Sequence, residues 1–162
     1  MAAVADQLPM VELPRGMYPG RLDDKGRLKL PTVFQHYFAA LREKRLFVTS
    51  VDRQTALVYP IERWREVETV LNALQTDPQA ARNVAFTAAE LGSEAEMDAQ
   101  GRILFSPELR RELGIENQPV RLWACNEHVE VLSQKMFEEQ QQEAKKAPRE
   151  DLAKVRAAGA KC

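Results

Sequence analysis

A short motif that occurs twice carries the chemistry that this sequence offers. Residues 23–27, Asp-Asp-Lys-Gly-Arg, are repeated as residues 98–102, Asp-Ala-Gln-Gly-Arg, and the separation of Asp23 from Asp98 defines the repeat offset. In both copies the aspartate can accept hydrogen bonds from turn amides and the glycine permits a positive φ, so the spacing predicts two tight turns. The arginine then begins the next strand, where its guanidinium is held at a fixed angle. The residues expected to form the turns are Asp23, Gly26, Asp98 and Gly101.

Arginines held in this way are suited to particular partners. A guanidinium presents a planar fork of donors that matches phosphate oxygens or the edge of a guanine. One copy is weak evidence, because the same pattern occurs in ordinary hairpins whose arginine only covers a surface. Two copies in matched contexts favour recognition of nucleic acid by Arg27 and Arg102.

The sequence that follows each motif repeats as well. Pro31 or Pro107 opens an amphipathic helix, followed by two apolar strands joined by a polar turn and by a helix with an aromatic residue. Asp77 and Pro78 are a cap and a first-turn proline, which predicts a joining helix as far as Leu91. The other predicted helices cover 32–45, 61–74, 107–113 and 133–144, and the strands cover 46–51, 56–59, 120–125 and 129–132.

The repeat predicts how the chain is organised. The C-terminal tail is rich in alanine and charge and has no sustained apolar face. The predicted segments are a flexible N-terminal extension (1–16), a first repeat (17–64), connecting helices (65–93), a second repeat (94–137), and a helix end with a disordered tail (138–162).

The composition argues against several classes of protein. The 162 residues are 44% hydrophobic and 29% charged, as in ordinary globular domains. The two cysteines lack the spacing of a metal or redox site, the N-terminus lacks the features of a signal peptide, and no apolar run is long enough to span a membrane. We therefore expect a cytoplasmic protein without a membrane partner. The net charge of −1 means that affinity for nucleic acid must come from a local basic patch.

The remaining polar and aromatic residues favour structural roles. His36 and His128 have no cysteine, carboxylate or serine at a spacing that suggests catalysis or metal binding, and we expect them on a surface or a helix face. Trp64 and the apolar residues that follow it at helical spacing, as far as Leu74, are expected in the core or in a subunit contact. The sequence therefore predicts no enzyme, no catalytic residue, no metal, no cofactor and no small-molecule substrate.

The motifs and their surroundings resemble the MraZ family, whose chains carry two SpoVT-AbrB-like units. The resemblance rests on residues 22–28 (LDDKGRL) in the first unit, 57–64 (LVYPIERW) at its end, and 92–103 (GSEAEMDAQGRI) at the opening of the second. It extends from about Met17 to Phe137. Members of the family usually have several more residues between their opening glycine and the first motif than the run Gly20-Arg21-Leu22-Asp23 provides. The resemblance therefore implies a first strand that is short or drawn from residues 11–15.

The resemblance implies a fold and a function. The implied fold is α+β, with hairpins of both units interleaved into a double-split β-barrel flanked by helices. The implied function is a transcriptional regulator that binds short direct repeats of double-stranded DNA in the promoter of its own operon, a cluster of cell-division and cell-wall genes. Family members assemble into rings, so a ring-shaped homo-oligomer associated with the nucleoid is expected.

The resemblance also points to binding residues, namely Lys25 and Arg27 in the first motif and Arg102 in the second. Basic residues outnumber acidic ones around the first motif, whereas four acidic residues between Glu90 and Asp98 precede the second without a balancing lysine or arginine. We therefore expect the first repeat to carry more of the DNA contact. The predicted DNA-binding residues are Arg21, Lys25, Arg27, Lys29 and Arg102.

Two other functions stay open at this point. The near-neutral charge and the acidic second motif are compatible with an oligomeric scaffold or protein-binding module that has kept the barrel and lost its DNA affinity. Strong salt dependence of DNA binding would argue against a scaffold, because phosphate contacts release counterions. An AbrB-like antitoxin is less compatible, because such proteins supply one unit per subunit and this chain has two.

Overall fold

The duplication seen in the sequence is visible in the order of the secondary-structure elements. The computed structural model describes residues 11–162, in which each repeat contributes four strands and a short helix after its second strand. The strands are β1 (Met17–Arg21), β2 (Arg27–Lys29), β3 (Leu46–Thr49), β4 (Ala56–Pro60), β5 (Ser93–Ala95), β6 (Arg102–Leu104), β7 (Pro119–Cys125) and β8 (His128–Ser133). The helices are α1 (Thr32–Ala39), α2 (Ile61–Ala73), α3 (Pro78–Leu91), α4 (Pro107–Leu113), α5 (Gln134–Lys145) and α6 (Pro148–Ala157).

The two repeats exchange strands. A six-stranded antiparallel sheet has the order β1-β7-β8-β4-β3-β5, so that β1 of the first repeat pairs with β7 of the second and β5 of the second pairs with β3 of the first. The hairpins of the two repeats meet at the centre of this sheet, where β4 pairs with β8. The remaining strands, β2 and β6, form a separate two-stranded ribbon. Helices and antiparallel sheets in one chain are the α+β class that the sequence predicted.

The core lies between the ribbon and the large sheet. In β2 and β6 the middle residues, Leu28 and Ile103, are fully buried and lie opposite one another in the register. Their burial follows from the alternation of side chains along a strand, since the residues on either side point to the opposite face. Other fully buried side chains of this core are Leu22, Phe34, Val48, Val58, Phe105, Leu109 and Leu122.

Local signals begin and end several helices. The Asp77 carboxylate accepts a hydrogen bond of 3.0 Å from the amide of Ala80 and caps α3. The Ser106 hydroxyl accepts one of 3.2 Å from the amide of Leu109 and caps α4, which ends at Gly114 in the left-handed conformation with φ +65°. None of the helices within residues 11–162 has both the length and the apolar surface needed to cross a membrane.

The structure differs from the sequence prediction at both ends of the chain. The first strand is Met17–Arg21, and residues 11–15 form no strand. Most of the predicted N-terminal extension, residues 1–10, lies outside the described residues, whereas Leu13 packs against the core. Residues 148–157 of the predicted disordered tail form α6, which buries no side chain. Its proline at the start, acidic first turn and basic last turn favour a helix locally, without tertiary packing.

Two internal predictions were also wrong. The first helix ends at Ala39 instead of continuing to residue 45, because the chain must turn to bring Leu46 into the large sheet. His128 is buried against Tyr59, with 4.4 Å between the ring centroids, instead of lying on the surface. The β7–β8 turn takes only Asn126 and Glu127, both with positive φ, so β8 begins at His128.

We expect the ribbon to depend on the contact between its two buried residues. Leu28→Ala removes three side-chain carbons from a site without solvent access, and should lower the free energy of unfolding by about 2–5 kcal/mol. Val155→Ala, at a half-exposed position of α6, should change it by less than about 0.5 kcal/mol. Urea unfolding followed by circular dichroism measures both, and equal effects of the two substitutions would contradict the assignment of Leu28 to the core.

Candidate nucleic-acid interface

The first motif forms a turn that holds its own arginine. Oδ1 of Asp23 accepts hydrogen bonds of 2.9 Å from the amides of Lys25 and Arg27, and Oδ2 accepts one of 3.0 Å from Nε of Arg27. Gly26 has φ +83°, in the left-handed region that favours glycine. One carboxylate therefore shapes the turn and orients the guanidinium at the same time.

The second motif repeats this geometry. Oδ1 of Asp98 accepts hydrogen bonds of 2.9 Å from the amides of Gln100 and Arg102, and Oδ2 accepts one of 2.8 Å from Nε of Arg102. Gly101 has φ +76°. The sequence similarity between the motifs is therefore matched by the position of each hydrogen bond.

The hydrogen bonds lower the pKa of both carboxyl groups. For Asp23 the main cause is the hydrogen bond from the amide of Arg27, and the guanidinium of Arg27 adds to it. For Asp98 the amide and the guanidinium of Arg102 act in the same way. Desolvation opposes the change in both cases. The two carboxylates are therefore ionised at neutral pH and hold their arginines by charge-assisted hydrogen bonds.

Each turn is completed by the opposite repeat. The carbonyl of Gly26 accepts a hydrogen bond of 2.9 Å from the amide of Phe105, and the carbonyl of Gly101 accepts one of 2.9 Å from the amide of Leu30. These bonds extend the β2–β6 ribbon at both ends. Each turn therefore depends on backbone groups of both repeats.

The helix of each repeat also supports the turn of the other, through residues that the sequence analysis missed. Arg110 of α4 donates from Nη1 to the carbonyl of Lys25 at 2.9 Å, and a Cβ at Gly26 would overlap its guanidinium. A Cβ at Gly101 would overlap the side-chain amide of Gln35 in α1. Gln35 and Arg110 are separated by the repeat offset, so applying that offset to the helices would have found this pair.

The outer face of the ribbon gathers three of the predicted residues. Arg27 lies opposite Leu104, and Lys29 lies opposite Arg102. All four side chains point away from the core, because their strand neighbours Leu28 and Ile103 are buried. Each guanidinium is held through Nε, and its two Nη groups have no acceptor among residues 11–162. The face thus presents the donor pairs that a phosphate or a guanine edge accepts.

The other two predicted residues lie beside the ribbon. Lys25 is exposed at the tip of the first turn. Arg21 ends β1 in the large sheet, where its Nη2 donates to the carbonyl of Asn117 at 2.9 Å. The structure therefore brings Lys25, Arg27, Lys29 and Arg102 together and places Arg21 at their margin.

Two of the acidic residues before the second motif have partners that lie far from them in the sequence. Glu90 forms an ion pair of 2.7 Å with Arg53, and Glu94 lies 4.0 Å from Arg45. Both cations come from the first repeat. The ammonium of Lys29 also donates to the carbonyl of Gln100 in the second turn. The charge difference between the two motifs is therefore smaller in the folded protein than along the chain.

Comparison with known proteins identifies relatives over most of the chain. The family described as "MraZ protein, putative antitoxin-like" matches residues 91–158. The transcriptional regulator MraZ of Acidobacterium capsulatum is 33% identical over 125 residues, which are 77% of this chain and 85% of that protein. The transcriptional regulator MraZ of Actinobacillus pleuropneumoniae serotype 5b is 36% identical over 130 residues, 78% and 83% of the two chains. That of Herpetosiphon aurantiacus is 37% identical over 105 residues, 65% and 71% of the two chains.

The hydrogen bond between each aspartate and its arginine can be tested by titration of the carboxyl groups. NMR of the carboxyl carbons should give Asp23 and Asp98 pKa values below the usual range for aspartate. In Arg27→Ala the pKa of Asp23 should rise only in part, because the amide of residue 27 still donates, and the pKa of Asp98 should stay unchanged.

The sign of the pH dependence follows from the same shifts. The folded pKa lies below the unfolded value of about 3.9, so each carboxylate stabilises the fold above that value. The contribution is lost as the pH falls through the folded pKa. Equal titration of Asp23 in wild type and in Arg27→Ala would contradict the pairing with the guanidinium.

Proposed function

The chain belongs to the MraZ family of transcriptional regulators, and on this premise we propose that it is a DNA-binding regulator whose β2–β6 ribbon contacts the DNA. The observation that carries the proposal is the pair of guanidinium groups on one face of the ribbon. Arg27 and Arg102 are each held through Nε by an aspartate, so their Nη groups are aimed before any ligand is present. Little side-chain entropy is then lost on binding.

The shape of the ribbon suits the major groove. The groove is about 12 Å wide and admits a two-stranded antiparallel ribbon, and its floor carries the O6 and N7 acceptors of guanine. We assign base or phosphate contacts to Arg27 and Arg102. Lys25, Lys29 and Arg21 surround them and are assigned to phosphates, which fix the position of a protein on the duplex without reading its sequence.

The proposal extends to the fold and to the DNA target. The exchanged strands support a double-split β-barrel built from two SpoVT-AbrB-like repeats at 17–64 and 94–137, joined through 65–93. The proposed target is a set of short direct repeats in the promoter of the cell-division and cell-wall operon that encodes the protein. A regulator of this kind acts in the cytoplasm, at the nucleoid.

We further propose that copies of the chain assemble into a ring. Exposed apolar side chains on α2 and α3 support an interface on these helices, since Val70 is 64% exposed and Phe86 is 63% exposed. Trp64, on the same helix as Val70, is buried inside the chain, so only part of the predicted apolar stripe is left for a subunit contact. Binding sites linked on one particle gain avidity when their spacing matches the spacing of the DNA repeats.

DNA binding is tested with a fluorescent duplex of the chain's own upstream region, beside a scrambled duplex, at two salt concentrations. We expect preferential binding to the upstream duplex, weakened by salt because phosphate contacts release counterions. Arg27→Ala should lower the affinity by roughly tenfold to a hundredfold, the range for loss of one bidentate contact. Arg149→Ala, an exposed arginine on α6, is the matched control and should leave the affinity unchanged.

Parallel measurement of Arg102→Ala compares the two repeats. We expect a smaller loss than for Arg27→Ala, because Lys25 accompanies Arg27 in the first turn and Gln100 takes its place in the second. A larger loss in Arg102→Ala would contradict the leading role of the first repeat. Equal, weak binding of wild type to both duplexes would contradict regulation by sequence-specific binding and favour an oligomeric scaffold.

Assembly is tested by sedimentation velocity. A ring has a mass that is a multiple of the 18.4 kDa of one chain, and Phe86→Ala should shift the distribution towards smaller species because the helices lose apolar contact area. Val155→Ala, which removes exposed apolar area from α6, serves as the control. A single species with the mass of one chain in the wild type would contradict the ring.

A further inference from the structure

One apolar side chain interrupts the cationic face of the ribbon. Leu104 is 55% exposed and lies on the same face as Arg27, Lys29 and Arg102. In the register of the ribbon it is directly opposite Arg27. Side chains at opposed positions have Cβ atoms about 5 Å apart, so a ligand bound by Arg27 is within reach of Leu104.

The position of Leu104 carries a residue of different chemistry in the first repeat. Leu104 corresponds, at the repeat offset, to Lys29, whose ammonium donates to the carbonyl of Gln100. Arg102 therefore has a lysine as its cross-strand neighbour, whereas Arg27 has a leucine. The ribbon offers one half with two cations and another half with a cation and an apolar group.

The apolar half matches one feature of DNA. The major groove presents hydrogen-bonding groups and a single kind of apolar group, the C5 methyl of thymine. Resting on the proposed function, we propose that Leu104 is a specificity-determining residue that contacts a thymine methyl next to the base or phosphate bound by Arg27. Neighbouring bases of one strand are about 3.4 Å apart along the axis, which is compatible with the spacing of the two side chains.

The contact makes the two halves of the ribbon read different bases. The half with Arg27 and Leu104 prefers a thymine beside the base or phosphate that the arginine binds. The half with Arg102 and Lys29 has no apolar group on this face and has no such preference. The recognised DNA word is then asymmetric, although the two motifs have the same hydrogen-bond geometry.

The test removes the methyl group and changes nothing else. In the upstream duplex each thymine in turn is replaced by deoxyuridine, and the affinity is measured by fluorescence anisotropy. For the wild type we expect one position per recognised word at which deoxyuridine weakens binding about fourfold, the effect of one methyl-sized group. In Leu104→Ala the same replacement should leave the affinity unchanged.

Two further variants separate this contact from a general effect of the substitution. Leu104→Lys copies the residue of the first repeat, and it should abolish the deoxyuridine effect and steepen the dependence of log affinity on log salt by about one. Val155→Ala truncates an exposed aliphatic side chain on α6 and should keep the wild-type deoxyuridine effect.

The outcomes distinguish this inference from the function on which it rests. Preferential binding of the upstream duplex without a deoxyuridine effect at any thymine would overturn the contact and leave the regulator intact. An effect that persists in Leu104→Ala would also overturn it, because another residue then contacts the methyl group. Absence of preferential binding in the wild type would overturn the proposed function and this inference together.

Discussion

The antiparallel pairing of β2 with β6 is the contact on which the candidate interface depends, because it joins one short strand from each repeat. Each strand has three residues, which is too few for independent stability. Burial of Leu28 against Ile103 and the carbonyls of Gly26 and Gly101, bonded across the repeats, hold the pair in one register. A shift of the register by one residue would turn the arginines towards the core and expose Leu28.

The aspartates convert this scaffold into an oriented surface. Asp23 and Asp98 each accept hydrogen bonds from two backbone amides and from the Nε of one arginine. The same carboxylate therefore stabilises the turn and orients the guanidinium. A long flexible side chain is thereby held on one edge and free on the other. The cationic groups are concentrated on one face of the ribbon, which explains how a chain with a net charge of −1 can present a cationic face.

The structure also shows where the repeats have diverged. Arg110 lies beneath the first turn and Gln35 beneath the second, and Leu104 stands opposite Arg27 where Lys29 stands opposite Arg102. The hydrogen bonds within the two turns are the same, so the differences lie in the residues around them. Exchange of strands between the repeats places these residues next to the motif of the other repeat. A residue that differs between the repeats therefore changes the surroundings of the opposite motif.

Local signals in the sequence were sufficient for the two turns, the cap of α3 and the hairpins, because each depends on residues within a few positions of one another. The repeat offset was also readable from the sequence, and it identified the two arginines of the candidate interface. The pairing of the ribbon, the support of each turn by Gln35 or Arg110, and the neutralisation of Glu90 by Arg53 were decided by the tertiary structure. These contacts join residues about 37 to 85 positions apart, and only burial of the shared core brings such residues together.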